Sequence, residues 1–149
     1  MIDVENMVFN AVATALRTEY PNMSIYGEYI ENPASFPCVT LVEENNVTYR
    51  NSLTEDHREN HARLEYVANV YSNKQNGKKA EAKHISDIID NTLQDLNFVR
   101  LMRSQVPNTD RTIYRITLRY EAVVDKGITT TETVEGEEVS TTTYTLYRE

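Results

Sequence analysis

One cysteine, Cys38, stands in 149 residues, so an intramolecular disulfide and a Cys-rich zinc cluster are both excluded and a reducing compartment suits the chain. Long apolar runs are missing too, and none approaches membrane-spanning length. The N-terminus, MIDVENMVFNAV, has acids where a signal peptide carries bases, and the expectation is a soluble, internally made protein. Bases are the scarcer charge: 15 Lys and Arg stand against 23 Asp and Glu, a formal net charge of −8. That balance opposes nucleic-acid binding by phosphate neutralisation and is otherwise a solubility feature. Tryptophan is absent, glycines number four, and tyrosines number ten. The length suits one domain able to bury its own core without a disulfide or metal.

Two amphipathic helices stand out. Val4, Met7, Val8, Ala11, Val12, Ala15 and Leu16 recur at i, i+3, i+4 spacing, with Asp3 placed to cap the start and Pro21 to end the run. Ile85, Ile88, Ile89, Leu93 and Leu96 repeat the pattern after the SNKQNG turn. The extended stretches are MSIYGEYI at 23–30, CVTLVEE from Cys38, a strictly alternating strand from Ala62, FVRLMRSQV, and TIYRITLRYEAVV. ENPASFP is a loop, and the polar stretch from Asn45 to Glu59 is expected to be an exposed one. One-sided strands with two helices predict an α+β architecture: an antiparallel β-sheet with both helices packed on one face. Each large apolar side chain on these stripes contributes roughly 1.5–3 kcal/mol on burial.

Residues 1–127 are expected to form this domain and 128–149 a C-terminal β-hairpin arm, with EGEE between two extended runs. Thr129, Thr131 and Thr133 give its first strand little to bury, and an isolated hairpin is marginal in water. The arm either extends its own sheet or pairs with a neighbouring subunit by strand addition.

Candidate chemistry fails on spacing. H-R-E-N-H, residues 57–61, has the residue types of a zinc peptidase but the wrong order. On an extended segment its histidines would sit roughly 13 Å apart, too far to share one ion. Polar loop residues leading into a strand are the better reading of His57, Glu59 and His61. QNGKKAEA lacks the first glycine and the hydroxyl of a phosphate-binding loop, which leaves Lys78 and Lys79 as a solvated turn. Cys38, after a proline, behaves as a small buried hydrophobe, and no histidine is tied to it by a motif. Asp87, Asp90 and Asp95 fit the wet face and end of a helix. No catalytic, metal or cofactor-binding set remains.

An ordered series does remain. F-P-C-V-T-L-V-E-E, R-E-N-H-A, N-V-Y-S-N, G-K-K opening a helix, L-N-F-V-R, P-N, and T-I-Y-R-I-T-L-R-Y-E-A-V-V-D together resemble the tail terminator (tail completion) proteins of long-tailed bacteriophages and prophages. The resemblance covers about Phe36 to Asp125 plus the N-terminal helix, and the hairpin after Asp125 is longer than it predicts. It implies a structural virion subunit that assembles as a homo-oligomer, commonly a hexameric ring, on the tail tube of major tail protein. There it stops tube growth and joins the tail to the head-tail connector, with no reaction and no membrane involved. Expected interface residues, from the arm's composition, are Thr131, Thr133, Val134, Val139, Thr141, Thr143, Tyr144 and Tyr147. Deleting residues 128–149 is expected to leave the monomer folded but unable to assemble. Excess acid facing the ring's channel would let DNA pass without sticking. Competing readings are a neck connector or minor capsid protein, a metal-dependent hydrolase using His57, Glu59 and His61, and a small-molecule regulatory domain.

Overall fold

The computed structural model describes residues 1–48 and 61–148. Helix α1 (Glu5–Glu19) starts one residue later than its apolar spacing implies: Val4 is the capping position, while Asp3 still accepts a hydrogen bond from the Glu5 amide at 3.0 Å. Val8, Val12, Ala13 and Leu16 are its buried stripe, and Tyr20 and Pro21 end it. Helix α2 (Lys78–Asp95) buries Ala82, Ile85, Ser86, Ile89 and Leu93. Its exit has a local cause. Asn97 takes a left-handed conformation (φ 67°), its amide bonds Gln94 O, and the Phe98 amide reaches back to Leu93 O at 2.9 Å. That is a Schellman stop, with Leu93 and Phe98 both buried beside it.

Among the described residues six strands form one sheet: β1 (Ser24–Tyr26), β2 (Cys38–Thr48), β3 (His61–Ser72), β4 (Val99–Gln105), β5 (Tyr114–Val134) and β6 (Glu137–Tyr147). The order is β1-β2-β3-β5-β4, with β6 also on β5. The fold is α+β, as the pattern predicts, but the sheet is mixed. β1 pairs parallel to β2, because the chain between Gly27 and Pro37 returns to the end of the sheet where β1 began. The extended run predicted at 23–30 contributes only three strand residues, while β2 reaches Thr48, so Asn45–Thr48 is strand and not loop. A bulge between Glu43 and Asn45 lets this polar segment continue the pairing with β3.

Cross-strand register explains the core. Leu64 lies opposite Ala122, Tyr66 opposite Tyr120, Ala68 opposite Leu118 and Val70 opposite Ile116. Because side chains alternate, all of these point to one face, where α1 and α2 join them in a single buried cluster. Tyr66 meets Phe98 edge-on, with ring centroids 5.3 Å apart. The two tyrosines of this core face keep their hydroxyls satisfied: Tyr66 donates to Glu43 and Tyr120 to Asp90. Asp90 is therefore more than a wet-face residue, since it also faces the Arg100 guanidinium at 3.3 Å and accepts from Gln94.

The C-terminal strands form the expected hairpin, as part of the sheet. β5, 21 residues long, continues past residue 127 to Val134, and the two-residue turn Glu135–Gly136, both at positive φ, folds β6 back upon it. The base of β6 belongs to the core. Leu146 is buried, Tyr144 packs against the same cluster, Asn97 donates to Leu146 O at 3.0 Å, and Arg148 donates to Gln94 O. The arm thus extends its own sheet.

Candidate functional site

Of the H-R-E-N-H residues, His57 and Glu59 lie outside the described residues. His61 opens β3, its Nε2 3.5 Å from Asp125 and its ring edge-on to Tyr147. Its partners are strand neighbours, as the alternation after it requires. Cys38 is fully buried at the start of β2, and burial pushes its thiol up to about 11, which leaves little thiolate at neutral pH. Lys78 and Lys79 are the first residues of α2 and not a turn, and Lys78 Nζ donates to Arg111 O.

The helix-free face of the sheet carries the polar side chains. Arg63 lies between Glu121 (3.0 Å) and Glu65 (3.8 Å), and Arg119 pairs with Glu44. Asn69, 1% exposed, accepts from Thr117 at 2.7 Å and from Arg115 at 3.0 and 3.1 Å. The same guanidinium donates to Tyr29 and stands 5.5 Å over the Tyr71 ring. A cleft of about 640 Å³ opens beside it, between the loop carrying Tyr29 and Phe36 and the loop carrying Asn108 and Asp110. Arg63, Arg115 and Arg119 are thus held by structural partners, and among the described residues of this face nothing is arranged as a nucleophile with its base.

Sequence spacing did not reveal one acidic group. The carboxylates of Asp3, Glu5 and Glu43 lie within 4.8 Å of one another. Burial raises the Glu43 carboxyl above the ordinary glutamate range, Glu5 and Asp3 push the same way, and hydrogen bonds from Tyr66 and Asn46 oppose them. A carboxyl raised by folding stabilises fully below its unfolded pKa and loses that contribution as pH rises through its folded value. Glu43→Gln, which keeps an acceptor for Tyr66, is therefore expected to raise Tm at pH 7, with the gain vanishing below about pH 4. Thermal melts across pH check this. An equal effect at both pH values would contradict it.

The arm offers a different kind of surface. Thr133, Glu135, Glu137, Glu138 and Thr143 are exposed, whereas Tyr144 packs inward and Tyr147 stands beside His61. The side chains of Thr131, Val134, Val139 and Thr141 lie outside the described part, though their backbones pair across the hairpin in register. β4 is the extended stretch predicted at FVRLMRSQV, but its exposed apolar pair was missed from the sequence: Leu101 is 52% and Met102 36% exposed, at a bulge between Arg100 and Met102. The failure of VRLMRSQ to alternate was the available signal.

The family of tail completion protein gp17 matches residues 8–125, from α1 to the end of the β3-paired part of β5. The chain belongs to this family. No curated protein matches it. A phage tail completion protein is a structural component of the virion tail, and membership in such a family points away from catalysis. The match begins within α1, runs through α2 and β4 into β5 and stops at Asp125, so most of the hairpin lies beyond it. No helix among the described residues is long and apolar enough to cross a membrane.

Proposed function

We propose that this tail completion protein is a tail terminator: copies form a ring, six in number, on the last disc of the tail tube, stop its polymerisation and join it to the head-side connector. The observation that carries the reading is the family match over residues 8–125. The mechanism is geometric. One surface of the subunit completes the end of the tube of major tail protein, and the opposite surface does not reproduce that end, so growth stops. The net charge of −8 supports a channel through which DNA passes without adhering.

Adding purified protein to growing tail tubes is the test, with electron microscopy as readout. Capped tubes of fixed length, each ending in a ring, are the expected result. Tubes that keep growing, or protein found only on filled heads, would replace this reading with that of a connector or capsid component. Tight duplex binding by the assembled ring at physiological salt would overturn the channel assignment.

A further inference from the structure

β4 and β6 pair with the same edge of β5, end to end. Val99 lies opposite Glu121 and Tyr147 opposite Val123, so their outer edges form one continuous strip. Among the described residues this strip has no strand beyond it; β2 past Thr40, where β1 ends, and β5 past Asp125 on its β3 side are also unpaired by another strand. A long edge of unpaired amides and carbonyls is a template for another strand. At β4 the strip also exposes Leu101 and Met102.

Charge separates the two ends. β4 carries Arg100 and Arg103 and no acid. Residues 127–147 carry Glu132, Glu135, Glu137 and Glu138 and no Lys or Arg, with the last three exposed around the turn. Two hairpin tips would repel each other. A tip and a β4 edge attract, although Arg100 and Arg103 already hold Asp90 and Asp87 and so supply orientation more than strength. The remainder comes from backbone pairing and from covering Leu101 and Met102.

We infer that the acidic hairpin tip of one copy adds along β4 of a second copy. This contact rests on the ring reading for its biological place, where it joins each subunit to the next, but its physical basis is independent of it.

The test is cross-linking between two single-site variants, Leu101→Cys and Glu138→Cys, mixed so that only a pair of copies can carry both. Cys38 stays in place because it is buried. A short bismaleimide is applied to the concentrated free mixture and to the mixture on tail tubes. The expected result is a cross-linked dimer severalfold more abundant than from Leu101→Cys mixed with Asn22→Cys, an exposed position near β1. Reversing Glu135 and Glu137 to Lys in the Glu138→Cys variant should reduce it severalfold. A yield no higher than the control in both settings overturns the contact, and so does one indifferent to the reversal. Capped tubes without the cross-link would remove this contact and leave the terminator reading standing. A cross-link in protein that never caps tubes would do the reverse.

Discussion

Replacing Thr130–Thr141 with an Asn-Gly turn that joins Thr129 to Thr142 is expected to leave a folded subunit unable to assemble. Thr129 and Thr142 are paired across the hairpin, so a two-residue turn can close it where the register already brings the strands together. Everything that fixes the base of β6 survives: Leu146 in the core, Tyr144 against it, and the bond from Asn97 to Leu146 O. The melting temperature should therefore move by no more than a few degrees, while tube capping falls to background. Undiminished capping would show that the tip has no part in assembly.

Removing all of residues 128–149 is too blunt an experiment. It takes away Leu146, worth roughly 1.5–3 kcal/mol of burial, and bares the β5 edge at Val123–Lys126. Loss of function in that variant would report unfolding as much as lost docking.

Phe98→Ala is expected to cost about 3–5 kcal/mol, measured as a fall in the denaturant midpoint at unchanged slope. Phe98 is fully buried, packs edge-on against Tyr66, and closes the Schellman stop of α2 through its amide. Its removal leaves a cavity between the helix end and the sheet centre. The surrounding strands cannot collapse into it, because β3 is held by pairing on both sides. Total stabilities of about 5–15 kcal/mol make this a large share. Phe98→Leu should cost much less, and a loss under about 1 kcal/mol for the alanine variant would mean that the site relaxes freely.

Both helices and the alternating strands were legible in the sequence because one buried face imposes a period of 3.6 or 2, as Ile85–Ile89–Leu93 and Leu64–Tyr66–Ala68 show. The edges were not. β1 stops at Tyr26, although the residues after it continue an extended composition, since only three of them find a partner. Asn45–Thr48 looked like loop, yet pairing with β3 outweighs their polarity. Asp90 seemed a solvated helix residue until the fold brought Tyr120 and Arg100 to it.

The candidate surfaces divide in the same way. Low cysteine, misordered histidines and the absence of a glycine-rich phosphate loop removed catalytic options from composition and spacing alone. That a Thr-rich hairpin follows the body was equally plain. Which edge it lies on, that Leu146 anchors it, and that its acidic tip shares a strip with the arginines of β4 were decided by tertiary pairing. The physical reason is that periodicity is written locally by a single buried face, whereas strand order and edge exposure depend on which distant segment completes the hydrogen bonds.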